Sequence, residues 1–85
     1  AVQWLRQAAD QGEVTAQYNL AVMYEMGEGA SQDLVAAYQW YSLAVTQGYE
    51  EATVDRDRVK DKLSAEQVVK GDLLIKEWGG KHPKK

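Results

Sequence analysis

Residues 37–52, Ala-Tyr-Gln-Trp-Tyr-Ser-Leu-Ala-Val-Thr-Gln-Gly-Tyr-Glu-Glu-Ala, decide the fold, because residues 1–16 repeat the same segment 36 positions earlier. Ala1, Gln3, Trp4, Ala8, Gln11, Gly12 and Ala16 recur as Ala37, Gln39, Trp40, Ala44, Gln47, Gly48 and Ala52. Seven identities in sixteen positions, among them the rare Trp and the conformationally special Gly, far exceed the roughly one that composition supplies by chance. A fixed period in this range is the mark of a helical repeat array.

Working outward from that segment, Ala37, Trp40, Tyr41 and Ala44 share one face at 100° per residue, flanked by Leu34 and Val45 on one side and Ala36 and Leu43 on the other. A helix over about 32–46 is predicted, opened by Ser31 or Asp33 as a cap and closed by Gln47-Gly48. Its opposite side carries Val35, Gln39, Ser42 and Thr46, and the corresponding positions of the first copy are Gln3, Arg6 and Asp10. This row is the candidate partner-binding surface, with Tyr38 at its border as the best aromatic ligand candidate.

Upstream, residues 1 to about 10 read as the remainder of a helix that Gln11-Gly12 stops. A second helix follows to about Met26, with Ala16, Leu20, Met23, Tyr24 and Gly27 on the face that meets the first. Gly27-Glu28-Gly29 is a tight turn, since a phosphate loop needs a third glycine after a strand, or a Gly-Lys-Ser/Thr ending.

Downstream, a fourth helix spans about 50–62, with Val54, Val59 and Leu63 as its inner face and the charge run Asp55 to Lys62 as a solvated one. Ser64-Ala65-Glu66-Gln67 has the form of a capping box. It opens a fifth helix over about 65–78, whose Val68, Val69, Leu73, Leu74, Ile75 and Trp78 are expected to lie across the exposed end of helix four as a lid. Gly79-Gly80 is read as the release into a flexible basic tail, 79–85. Of the aromatic residues, Trp4, Tyr24, Trp40 and Tyr41 are assigned to the core, while Tyr18, Tyr38 and Tyr49 are freer.

Composition bounds the function. Eighty-five residues make one small domain. The absence of cysteine excludes disulfides, thiolate catalysis and cysteine-ligated metal. Residues 1–50 carry one basic group against six acidic ones, which disfavours nucleic acid. No apolar stretch approaches the roughly 20 residues that span a bilayer, and no signal peptide is legible in residues 1–20. The phase of the repeat predicts that the chain begins inside a helix, as a C-terminal piece of a longer array, with Trp4 and Leu5 available to pair with another copy. The only histidine, His82, lies in the tail, and Glu25 and Glu28 are read on a turn with no burial to tune them. No catalytic residue, metal ligand or cofactor is assigned.

These residues resemble the Sel-1-like repeat, a tetratricopeptide-like helical hairpin. Trp40-Tyr41, Ala44, Gln47-Gly48 and Ala52 match its first helix and turn, and Ala16-Gln17, Leu20, Met23-Tyr24, Gly27, Gly29 and Gln32-Asp33 match its second helix and link. Arg56-Asp57, Leu63-Ser64, Glu66-Gln67 and Glu77-Trp78 are similar to the terminal segment of bacterial members. Ala21, Leu34 and Gly71 depart from the pattern, and glycine inside a helix costs about 1 kcal/mol relative to alanine.

The resemblance implies an all-α fold, an α/α superhelix in the form of a right-handed solenoid of helix-turn-helix repeats with a C-terminal capping helix. The repeat domain would cover residues 1–78, with repeat one at about 1–30, truncated at its start, repeat two at 31–63 and the cap at 64–78. The implied role is a noncatalytic scaffold or adaptor that binds another protein or peptide on its concave face. A self-associating end of a longer solenoid is the alternative. A hydrolase of cell-wall compounds or β-lactams is a remote one, known from cysteine-rich relatives. Periplasmic, secreted and cytoplasmic locations all stay open.

Overall fold

The computed structural model describes residues 2–29 and 31–81, with side chains placed for 3–29 and 31–79. Five helices and no strand occur among the described residues: α1 (Val2–Asp10), α2 (Val14–Met26), α3 (Leu34–Thr46), α4 (Ala52–Asp61) and α5 (Ala65–Lys81). The fold is an all-α helical repeat. α1 packs on α2, α2 on α3, and α3 on both α4 and α5, so α3 is the hub.

The 36-residue period reappears in the backbone hydrogen bonds that end α1 and α3. Gln11 N donates to Gln7 O, Gly12 N to Ala9 O and Glu13 N to Ala8 O, while Gln47 N donates to Leu43 O, Gly48 N to Val45 O and Tyr49 N to Ala44 O, all at 2.9–3.1 Å. Gly12 and Gly48 make both turns with φ of +95° and +104°, a region in which a Cβ would be strained. Between the copies, the Gly27 N–H donates to Met23 O and the Asp33 N–H to Tyr24 O, while the Gln32 side-chain amide caps Glu25 O. Asp33 then caps α3 by accepting from the Ala36 N–H at 3.1 Å.

The core is built from small residues that let helices approach and large ones that fill beside them: Ala9, Leu20, Ala21, Ala37, Tyr41, Ala44, Ala52 and Val59 are all buried. Trp40 belongs to this core, 6% exposed, but Trp4 is 69% exposed. This corrects the assignment of Trp4 to the interior. α3 has helices against it on several sides, whereas among the described residues α1 rests mainly on α2 and leaves Trp4 exposed. Val54 is likewise exposed rather than inward, because it lies five residues, about 140° of helical rotation, from buried Val59.

α5 begins as expected. Ser64 N donates to Gln67 Oε1 at 2.9 Å, and Gln67 N donates to Ser64 Oγ at 3.2 Å. Its main seat is α3, however, and not the end of α4. The outer face of α4 carries exposed Asp57, Lys60 and Asp61 and offers little apolar surface, whereas α3 offers the ring and hydroxyl of Tyr38. Gly71 is the reason α5 can come so close. A Cβ there would sit 2.5 Å from Tyr38 Cδ2, so the departure from the repeat pattern is a packing requirement. The helix also continues through Gly79-Gly80 to Lys81, correcting the expected release at residue 79; residues 82–85, with His82, lie outside the described residues.

Candidate functional site

The expected row separates into two parts. Gln3, Asp10 and Thr46 are exposed, and Val35 and Gln39 are half-buried. Gln3 and Asp10 are seven residues apart, so they share one face of α1, as Val35, Gln39 and Thr46 share one face of α3. Gln3 and Gln39, and Asp10 and Thr46, are pairs at the repeat offset. This strip offers two carboxamides, a carboxylate and a valine, and Thr46, whose hydroxyl donates to Ser42 O at 2.9 Å, adds an acceptor. Such groups suit hydrogen bonding to a polypeptide.

Three members of the row do something else. Tyr38 is buried under α5 and donates its hydroxyl to Asp72 Oδ1 at 2.7 Å, which corrects its reading as a free aromatic. Burial, then the Asp72 carboxylate, push its hydroxyl up to about 12. Ser42, one turn along, is also buried. Arg6 is exposed but directs its guanidinium over the Tyr24 ring, 6.0 Å from the centroid, and hydrogen-bonds the Tyr24 hydroxyl.

A second set of polar residues, unassigned in the sequence, lies between the two hairpins. Gln17, Ala21 and Glu25 form a buried stripe at successive turns of α2. Fully buried Gln17 donates to Ala9 O at 3.0 Å and accepts from the Gln47 side-chain amide. Glu25, 5% exposed, accepts from Tyr41 Oη at 2.8 Å and from Arg58 Nε and Nη2 at 2.9 and 2.8 Å. Arg58 also pairs with Asp55 at 2.9 Å, and Asp55 accepts from Tyr18 Oη at 3.0 Å. The rings of Tyr41 and Tyr49 meet Tyr18 edge to face.

Two expectations are corrected by this network: Glu25 is inside α2 and buried, and Asp55 and Arg58 turn inward from what read as a solvated charge run. The Arg58 hydrogen bonds, with that of Tyr41, hold Glu25 below the usual carboxylate range against the opposing effect of burial. Burial and then Glu25 raise Tyr41 well above the ordinary phenol value. A carboxylate held ionised near neutral pH and bidentately paired is a poor general acid or base. The network is therefore a joint between α2, α3 and α4. Its legible trace was the spacing of Glu25 four residues after Ala21 and eight after Gln17, which places a carboxylate on a face that must be buried and hence must find a cation.

Among the described residues, no group of three or more His, Cys, Asp or Glu is arranged to hold a metal ion. Nor is any helix there long and apolar enough to cross a membrane.

Comparison with known proteins gives consistent results. The model of the Sel1 repeat matches residues 1–13 and 14–49. The chain is 33% identical over 75 residues to the alginate biosynthesis protein AlgK of Azotobacter vinelandii, covering 88% of this chain and 16% of AlgK. It is 38% identical over 69 residues to chitin synthase regulatory factor 3 of Schizosaccharomyces pombe, covering 80% of this chain and 7% of that protein. Among solved structures, it superposes with a TM-score of 0.87 at 32% identity on a protective antigen of uropathogenic Escherichia coli that displays an SLR fold, covering 93% of this chain and 17% of the antigen. The chain thus spans less than a fifth of the length of each of these proteins.

Proposed function

We propose, from the premise that this chain belongs to the Sel1 repeat family, a helical-repeat fold that generally mediates protein–protein interaction, that it is a noncatalytic scaffold module. In this reading residues 1–30 and 31–63 are successive repeats, 64–78 is the cap, and the partner is a protein or peptide laid along the helices α1 and α3. The observation that carries the proposal is the strip of Gln3, Asp10, Val35, Gln39 and Thr46, whose polar side chains stand at the repeat offset and outside the buried network. Arg6 contributes at its edge through the Tyr24 contact. Affinity on such a face comes from a few anchors with hydrogen bonds around them.

The test uses the intact protein that contains this segment as bait. The double substitution Gln39→Arg and Thr46→Arg is expected to lower capture of its partner at least about ten-fold, a change of about 1.4 kcal/mol, while Asn19→Arg with Asp57→Arg, on the exposed sides of α2 and α4, leaves capture unchanged. Equal loss in both, with helicity retained, would count against the strip.

Self-association through α1 is the second reading, favoured by the exposure of Trp4 beside half-buried Leu5. Concentration-dependent sedimentation that disappears in Trp4→Ala supports it.

A further inference from the structure

α5 is attached differently from the other helices. α3 buries seven of its residues, but among the described residues of α5 with assigned burial, 65–79, only Gly71 is buried. Val68, Leu74, Ile75 and Trp78 are half-buried, and Val69 and Leu73 face solvent. Val68, Ile75 and Trp78 pack against the core, and beside them one polar lock joins α5 to α3: the Gly71 backbone lies against the Tyr38 ring, and the adjacent Asp72 accepts a hydrogen bond from the Tyr38 hydroxyl. On release, the Tyr38 hydroxyl and the Asp72 carboxylate would be hydrated rather than left unpaired, which offsets part of the cost of opening. The helix start is fixed locally by the reciprocal Ser64 and Gln67 bonds, which do not depend on α3.

We propose that α5 is an exchangeable strap, occupying in cis a helix-binding face of α3 centred on Tyr38, and that this face accepts in trans a partner helix presenting glycine followed by an acidic residue. The chemistry of the incoming helix is read from the resident one. Glycine is needed because any side chain at that point meets the ring, and an acid next to it is needed to accept the phenol's hydrogen bond. Sub-global opening of a lightly buried element is a normal property of folded chains. The strap does not depend on the strip of Gln3 and Gln39, so the two proposals fail separately.

The experiment uses the full chain and a fluorescent peptide of residues 64–81. In hydrogen exchange, α5 amides are expected to exchange at least about ten-fold faster than the core amides of α3, by opening without global unfolding. In anisotropy titrations, chains carrying Gly71→Ala or Asp72→Ala, in which the cis strap is weakened, are expected to bind the peptide at least about ten-fold more tightly than the unmodified chain, because the resident competitor is removed. A peptide that itself carries Gly71→Ala is expected to bind the Asp72→Ala chain at least about ten-fold more weakly than the unmodified peptide, since its Cβ meets Tyr38. Exchange of α5 at the same rate as α3 would overturn the proposal. So would peptide binding indifferent to Gly71→Ala in the peptide, or no binding to either weakened chain.

Discussion

Replacing Trp40 by alanine is expected to cost about 3–5 kcal/mol of unfolding free energy, the range for truncating a buried aromatic side chain. The same replacement at Trp4 is expected to change it by less than about 0.5 kcal/mol, as exposed sites do. The two tryptophans are equivalent in the 36-residue repeat but not in surroundings, at 6% and 69% exposure. At about 0.05–0.15 kcal/mol per residue the whole domain holds only about 4–13 kcal/mol, so Trp40→Ala should remove a large share of its stability. Urea unfolding followed by far-ultraviolet circular dichroism measures both variants. Equal losses would mean that the flanks of α1 and α3 are covered alike.

Arg58→Ala is expected to destabilise by about 2–4 kcal/mol, because it strands the Glu25 carboxylate in the interior, at a cost that solvent reaching the half-exposed arginine moderates. Glu25 lies between α2, α3 and α4, and Tyr41 donates to it as well. By contrast, Arg56→Ala removes an exposed pair with the neighbouring Asp57 and should cost less than about 0.5 kcal/mol. The pH dependence has a definite sign. The folded-state value of Glu25 lies below its ordinary 4.5, so its contribution is present in full above about that pH and is lost as pH falls through the folded value. Unfolding titrations from about pH 6 downward should therefore show a steeper loss in the unmodified protein than in Glu25→Gln. Parallel curves would show that the Arg58 pair contributes nothing to the joint.

Local chemistry was legible in the sequence where it depends on near neighbours. The Gly12 and Gly48 turns, the Asp33 cap and the Ser64–Gln67 box each involve groups within a few residues. The repeat offset likewise supplied the helical hairpin, and the strip at Gln3, Gln39 and Thr46 followed from rotation about single helices. What could not be read was decided by which helix lies against which. Tyr38 looked free because its cover, α5, comes from 34 residues away in sequence. Glu25 looked solvated because its cation stands 33 residues downstream. Gly71 looked like a defect in a helix, since glycine propensity is a local quantity and the ring it accommodates is not local. Trp4 looked buried because repeat equivalence transfers residue type but not neighbours.

The proposed scaffold role rests on one physical proposition: partner contact runs along α1 and α3, whereas the polar joint under them is structural. Hydrogen exchange of the intact protein with and without the partner it captures tests this directly. Protection is expected over residues 2–10 and 34–46, with none added over α2 and α4. New protection concentrated on 14–26 and 52–61, with α1 and α3 unchanged, would contradict it.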